Sequence, residues 1–143
     1  MNRWILHAET LEVPMKQGVD IRDITAQLGQ AIQASGVRTG TLNVTVVGST
    51  GSVTTIEYEP GVVEDLKRAI ERLAPPGLDY EHEKAWHDGN GHSHVQAALL
   101  GPSVALPVRR GRLVLGTWQQ VVLINHDNRS RSRRVEVTVM GTG

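Results

Sequence analysis

The segment TGTLNVTVVGSTGSVTTIEYEP, residues 39–60, carries the clearest structural pattern in the chain. Its apolar residues Leu42, Val44 and Val46 alternate with polar ones, which is typical of a strand with one buried face. A second β-rich stretch, SVTTIEYE, follows after two glycines. The segment therefore predicts two strands joined by a short turn.

Helical patterns flank these two strands. On the amino-terminal side, Asp20 can cap a helix and Gly36 can end it. The apolar residues at helical spacing between them are Ile21, Ile24, Leu28 and Ile32. On the carboxyl-terminal side, Pro60 suits the first turn of a helix that runs to Pro75. A third, short helix is predicted over SHVQAALLG, where Gly101 ends it.

Both ends of the chain have strand patterns. Residues 3–13 alternate approximately, with Trp4, Leu6 and Leu11 on the apolar side and a break after Glu9. The stretches SVALPV, RLVLGTWQQVVLIN and RRVEVTVMG predict a closing meander of strands with a turn at HDNRS. Residues 1–143 are therefore expected to form a single α+β domain, in which two to three helices cover a mainly antiparallel or mixed sheet.

The composition excludes several classes of function. Fifteen basic and fifteen acidic residues leave no net charge to attract a nucleic acid or an anionic membrane. The chain has no cysteine, so disulfides, zinc–thiolate sites and cysteine nucleophiles are excluded. No apolar run approaches the ~20 residues that span a bilayer, which predicts a cytoplasmic protein without a membrane partner. With no phenylalanine, the core is expected to consist of Val, Ile, Leu and Ala.

Four of the six histidines fall within residues 82–94, in and around the stretch WHDGNGHSHVQAALLG. They are His82, His87, His92 and His94, and Asp88 lies among them. Imidazole is a common ligand of zinc, and a nearby carboxylate can bind the ion or orient an imidazole. The cluster therefore predicts a divalent metal site, although two histidines two residues apart on a regular helix diverge by roughly 200°.

The same stretch is also suited to an anion. Gly89 and Gly91 precede the predicted third helix, whose first amides are unpaired and carry a partial positive charge. A phosphate group could therefore bind at residues 89–93. The alternative is purely structural: a glycine-rich turn leads into a helix capped by Asn90, with the histidines on its surface.

Outside the cluster, Trp118 is interpreted as a core residue and its neighbour Gln119 as a polar candidate. The arginine-rich loop around Arg131 can bind phosphate, although such loops are usually only solvated. The segment GSTGSVTT could hold an anion or serve only as a turn.

Three stretches resemble the YjbQ-like family, also called UPF0047, which carries the name secondary thiamine-phosphate synthase: DGNGHSHVQAALLGPS, LPVRRGRLVLGTWQQ and TTIEYEPGVVEDL. The resemblance covers essentially the whole chain and implies an α+β fold and a homotrimer. It marks His82, His87, Asp88, Asn90, His92 and His94 as the site, with Gln119 in a second shared segment and Glu57 at an acidic position. Many members carry a His-Thr-Thr-Ala-like segment where this chain has Gly48-Ser49-Thr50-Gly51.

The resemblance implies a reaction in which a thiazole phosphate displaces pyrophosphate from a pyrimidine diphosphate. In this reaction His92 and His94 would hold the ion or the phosphate, and His82 or His87 would donate a proton. Zinc is the expected ion, and Mg²⁺ would suit the pyrophosphate. Two other classes need the same polar cluster and stay open: a metal-dependent hydrolase, and a non-catalytic trimer that binds a small anionic metabolite.

Overall fold

A computed structural model describes residues 3–143, which contain eight strands and four helices. In chain order they are β1 (Trp4–Met15), β2 (Asp20–Asp23), α1 (Thr25–Ser35), β3 (Thr39–Val47), β4 (Gly51–Glu57), α2 (Pro60–Leu73), α3 (Glu81–Trp86), α4 (Gly91–Leu100), β5 (Ser103–Arg109), β6 (Arg112–Leu113), β7 (Gln119–Asn125) and β8 (Arg131–Thr142).

The strands form two antiparallel sheets. The larger has the order β1-β8-β3-β5-β6 and the smaller has the order β2-β7-β4. The expected α+β architecture is confirmed, and it includes the two strands and the turn predicted from residues 39–60.

Strand β7 is buried on both faces, which explains its unbroken apolar run VVLI. Val121 and Leu123 belong to the main core, together with α1 and the inner face of the larger sheet. Val122 and Ile124 point the other way and pack with Ile70 of α2. The smaller sheet is therefore sandwiched between the larger sheet and a helical layer.

The helix ends follow the sequence signals in part. Pro60 is in the first turn of α2, as predicted, and Glu59 before it accepts hydrogen bonds from the amides of residues 61 and 62. Gly36 ends α1 with a left-handed φ of 75°, and Gly101 follows α4.

The predicted start of the first helix is wrong. Residues 20–23 form β2, which pairs with β7, and α1 begins only at Thr25. The Asp23 carboxylate accepts a hydrogen bond from the Thr25 amide, so Asp23 and not Asp20 precedes the helix. Pairing with the edge of β7 satisfies the backbone of residues 20–23 and outweighs their helical spacing.

Two expectations for apolar residues are also wrong. Trp118 is 72% exposed, because it lies in the turn before β7 and not in the core. In the unbroken strand β1, Trp4 and Leu6 are exposed, while Ile5 packs against the main core. The inner face of β1 also carries the half-buried pair His7 and Glu9, whose side chains are 2.7 Å apart.

Within residues 3–143, no helix combines the length and the apolar composition that a membrane crossing requires.

A close approach of β3 and β8 depends on a pair of glycines. Gly40 of β3 lies directly opposite Gly141 of β8. A Cβ at residue 40 would overlap the carbonyl oxygen of Met140 and lie 2.7 Å from the Cα of Gly141. Gly29 of α1 has no neighbour within 4 Å of its would-be Cβ, so it provides a matched control.

We therefore expect Gly40→Ala to lower the free energy of unfolding by about 3 kcal/mol or more, because β3 and β8 would have to separate. Gly29→Ala should raise it by up to about 1 kcal/mol through helix propensity. Urea denaturation of both variants measures the difference. Similar stability of the two variants would contradict the tight strand contact.

Candidate functional site

Three segments meet at one end of the smaller sheet: the β3–β4 turn, the start of α4, and the loop after β7. The amide of His126 donates a hydrogen bond to the carbonyl oxygen of Thr50 at 2.8 Å, which fixes the loop to the turn. The Asn128 side chain donates to the carbonyl oxygen of Asp88 at 2.8 Å, which fixes the same loop to the approach to α4. Side chains from all three segments therefore share one polar cluster.

Asp127 lies at the centre of this cluster. Its buried carboxylate accepts hydrogen bonds from Thr50 Oγ1 at 2.9 Å and from Asn90 Nδ2 at 3.2 Å. It also accepts one from the Arg129 amide and is paired with the Arg131 guanidinium at 3.0 Å. Burial acts to raise the pKa of Asp127, but these hydrogen bonds outweigh it, and the pKa is lowered. Asp127 is therefore a fixed negative charge.

Asn90 connects the helix start to this loop. It occupies the position before α4, but its side chain makes no hydrogen bond to a helix amide. Its Oδ1 instead accepts hydrogen bonds from the Ser93 hydroxyl at 2.8 Å and from the Asn128 amide at 3.0 Å. Asn90 is thus at the predicted site, but it acts by holding Asp127 and the loop in place.

Behind Asp127, a second chain of hydrogen bonds is almost completely buried. Gln96 Nε2 donates to the carbonyl oxygen of Ala74, so Gln96 Oε1 faces His126 Nδ1 at 3.0 Å as an acceptor. This assigns the proton to Nδ1 of His126 and leaves Nε2 to accept from the Ser52 hydroxyl at 2.8 Å. Ser52 and His126 are too deeply buried for a ligand to reach them.

The imidazole–carboxylate pair lies on the outer side of the site. His82 Nε2 and Asp88 Oδ1 are 2.9 Å apart, and the ring of His94 lies 4.6 Å from the ring of His82. The donor atoms of His82, Glu83 and Asp88 all lie within 4.8 Å of one another. Hydrogen bonds, first that from the Asn90 amide, lower the pKa of Asp88 and keep it ionised. Of the predicted metal ligands, the structure brings together His82 and His94.

His87 and His92 are directed elsewhere. His87 ends α3 with a left-handed φ of 52° and is exposed. The ring of His92 is tilted against Tyr80 at a centroid distance of 6.5 Å. Burial lowers the pKa of His92, and the negative charges of Glu83 and Asp127 only partly oppose this effect. A single ion bound by all four predicted histidines therefore requires a rearrangement.

The amides predicted to bind phosphate are occupied by the chain itself. The Glu83 carboxylate accepts a hydrogen bond from the Gly89 amide at 2.7 Å and from the Gly91 amide at 2.8 Å. Gly91 is required for packing, since a Cβ there would lie 2.5 Å from the Cβ of Tyr80. A phosphate at these amides, which stays a prediction, would have to displace Glu83.

Glu57 and Gln119 lie outside the cluster. They pair directly at the far end of β4 and β7, about 17 Å along the strand from Ser52. Gln119 Nε2 donates to Thr55 Oγ1, and its Oε1 accepts from the Gly116 amide. Within this chain, neither side chain contacts the histidine cluster.

Four buried members of the site were not predicted: Gln96, Asn125, His126 and Asp127. Thr50 and Ser52 lie in the segment GSTGSVTT and Arg133 lies in the arginine-rich run, and for both stretches anion binding was one of two alternatives. The available signal for Asn125, His126 and Asp127 was the run NHDNRSR, whose polar residues begin directly after the apolar run VVLI of β7. Because β7 enters the interior, the first residues after it are still buried and must find hydrogen-bond partners.

The fold and the site define the class of this chain: a small α+β protein of two antiparallel sheets, with a histidine- and carboxylate-rich cluster at a strand end. The family model described as UPF0047 protein YjbQ-like matches residues 9–142, and the chain belongs to this family.

Named relatives and solved structures agree. A UPF0047 protein of Methanothermobacter thermautotrophicus is 35% identical over 134 residues, covering 92% of each chain. One from Archaeoglobus fulgidus is 37% identical over 85% of this chain and 92% of its own length. The crystal structure of a YbjQ-like protein of unknown function from Sulfolobus solfataricus has a TM-score of 0.92 at 31% identity, covering 97% of this chain and 99% of the other. No activity accompanies these matches.

Acid should destabilise the fold through His126. Burial, followed by the charges of Arg133 and His92, lowers the pKa of His126 from 6.5 to about 4. Between these values the unfolded chain binds a proton that the folded chain excludes, so stability is highest above pH 6.5 and falls toward pH 4. The whole shift corresponds to about 3 kcal/mol.

We expect the free energy of unfolding, measured with urea from pH 7 to pH 4, to follow this decline. His126→Gln should flatten the decline, even if it lowers stability at pH 7. His7→Gln, which changes a half-buried histidine of β1, should leave the decline in place. An unchanged slope in His126→Gln would show that other groups cause the acid sensitivity.

Proposed function

We propose that the chain holds a divalent cation at His82, Asp88 and Glu83, next to His94, and binds there the phosphate groups of a small metabolite. The observation that carries this proposal is the convergence of one imidazole and two carboxylates within 4.8 Å. Four ligand atoms around a tetrahedral zinc ion are about 3.4 Å apart, so the binding of an ion requires these three atoms to move closer together by up to about 1.4 Å.

The reaction implied by the family resemblance fits such a site. A thiazole phosphate would displace pyrophosphate from a pyrimidine diphosphate, and the bound cation would supply charge neutralisation for the leaving group. His82 and Asp88, whose side chains are 2.9 Å apart, would both bind the ion, and we propose that the neighbouring His94 donates a proton to a phosphate oxygen. We also propose Arg131 as a phosphate-binding residue, because its guanidinium is held by Asp127 and is partly exposed.

Two variants change proposed ligands, and a third changes a neighbouring histidine as the control. His82→Gln and Asp88→Asn should each weaken Zn²⁺ binding at least about tenfold, because each removes a ligand. His87→Gln should bind Zn²⁺ as the wild type does, since His87 is exposed and lies outside the His82–Asp88 pair. Calorimetry with Zn²⁺ and elemental analysis of the purified proteins measure this. Equal metal content in all four proteins would overturn the metal site.

The reaction is tested separately with the pyrimidine diphosphate and the thiazole phosphate in the presence of Zn²⁺ or Mg²⁺. Formation of thiamine phosphate that is lost in His82→Gln supports the transferase. Release of phosphate from the diphosphate alone identifies a hydrolase. Retention of either compound without conversion identifies a binding protein.

We also propose that the chain forms a homotrimer. The outer face of the larger sheet carries the exposed apolar residues Trp4, Leu6 and Met140, and Leu6 lies directly opposite Met140. Such patches are typical of association surfaces. In a trimer, the end of one copy that carries Glu57 and Gln119 could approach the histidine cluster of another.

Light scattering should therefore give three times the chain mass of 15.6 kDa at micromolar concentration. Leu6→Glu should shift the mass toward the monomer, because it places a charge in the apolar patch. Val114→Glu, at an exposed position between β6 and β7, should leave the trimer intact. A monomeric wild type would contradict the proposal.

A further inference from the structure

A cavity of about 310 Å³ lies between the β3–β4 turn and α4. It is lined by Gly48, Ser49 and Gly51 around the turn, and by the apolar residues Ala97, Ala98 and Pro102. His94 also lines this cavity, so it borders the proposed metal site. The cavity has room for a small organic molecule.

A buried guanidinium lies beneath these glycines. Arg133 of β8 is only 6% exposed. Its Nε and Nη2 donate to Asn125 Oδ1 at 3.2 and 2.6 Å, and Nη2 also donates to Thr50 Oγ1 at 2.6 Å. Nη1 has no acceptor among residues 3–143, where every fully buried side-chain nitrogen and oxygen does have a partner. Nη1 is therefore not fully buried.

Two glycines that line the cavity, Gly48 and Gly51, lie directly over the guanidinium. A Cβ at residue 48 would lie 2.9 Å from Nη1, and a Cβ at residue 51 would lie 3.4 Å from Nε. Since both residues are glycines, neither has a side chain of its own over the guanidinium. Gly48 also has a φ of 136°, a conformation that residues with a Cβ rarely adopt.

The guanidinium has no carboxylate of its own. No Asp or Glu within residues 3–143 forms a salt bridge with Arg133. Asp127 is near enough to favour the charged form of Arg133, but its carboxylate is already paired with Arg131 at 3.0 Å. A buried cation without a counter-ion is unfavourable, and arginine cannot relieve this by losing its proton. An anionic ligand in the cavity would supply the missing charge.

We propose that this cavity binds a small organic oxyanion, a carboxylate or a phosphate monoester. The anionic head accepts a hydrogen bond from Arg133 Nη1 between the glycines of the turn. The apolar body packs against Ala97, Ala98 and Pro102. Binding needs no metal ion, so this inference stands independently of the proposed metal site, with which it shares only His94.

Phenyl phosphate and benzoate are suitable probes, because they share a ring and differ in the anionic head, and benzyl alcohol is the neutral control. Calorimetry in EDTA should show binding of at least one of the two anions and none of benzyl alcohol. The preference between the anions identifies the head group. Arg133→Gln should weaken binding at least about tenfold, as expected for the loss of a charged hydrogen bond.

Arg133→Gln also removes internal hydrogen bonds, so a second variant leaves the guanidinium untouched. Ala98→Leu fills the cavity from α4 and should weaken anion binding at least about tenfold by steric exclusion. Ala26→Leu, at an exposed position of α1 away from the cavity, should bind as the wild type does.

Three results would overturn the proposal: binding of neither anion, wild-type affinity in Ala98→Leu, or binding that occurs only when metal is present. The last result would assign the anion to the metal site. Binding in EDTA together with wild-type metal content in His82→Gln would instead support the cavity and overturn the metal site.

Discussion

The carboxyl-terminal end of β7, at Asn125, imposes the constraint on which the rest of the site depends. The strand is buried on both faces, and the chain remains buried for two more residues after the strand ends. Asn125, His126 and Asp127 therefore place an amide, an imidazole and a carboxylate where water cannot solvate them. Each of these groups needs partners from the surrounding protein, because an unpaired buried polar group costs about 1–3 kcal/mol.

The alternation of side chains along β7 decides where those partners lie. Residue 126 continues the row of Val122 and Ile124 toward the helices, and it meets Gln96 of α4. Residue 125 points toward the larger sheet and meets Arg133 of β8. One short polar run thereby connects the helical layer to the larger sheet, and the turn at Thr50 lies between them. The positions of α4 and of the Gly48 turn relative to each other follow from these contacts.

This arrangement also explains which parts of the molecule could be predicted from the sequence. The strands of residues 39–60 and the helix after Pro60 follow local patterns, and they are present in the structure. The start of α1 depends on pairing between β2 and β7, which is a non-local contact that a local pattern does not contain. Trp118 is exposed for a similar reason, since its burial is set by the turn that carries it and not by its apolarity.

The site could be predicted only in part, because many of its contacts are also non-local. The histidines of residues 82–94 stand out because they are close in sequence, and the structure joins His82 and His94. Arg133 and Thr50 are 83 residues apart and become neighbours only when β8 folds back beside the turn. The role proposed for Arg133 also depends on the absence of a side chain at Gly48. Glu83 was not predicted because carboxylates are common on helices. Its two oxygens accept hydrogen bonds from the Gly89 and Gly91 amides, which were predicted to be free for a phosphate.

The distribution of charge gives the site two chemically different sides. Glu83 and Asp88 make the side at the α3–α4 turn acidic, and a cation is favoured there. Arg131 and Arg133 outnumber Asp127 on the side at the β3–β4 turn, and an anion is favoured there. His94 lies between the two sides, next to His82 and on the cavity wall. His94 is therefore the side chain that a ligand in the cavity and an ion at the carboxylates would share as a neighbour.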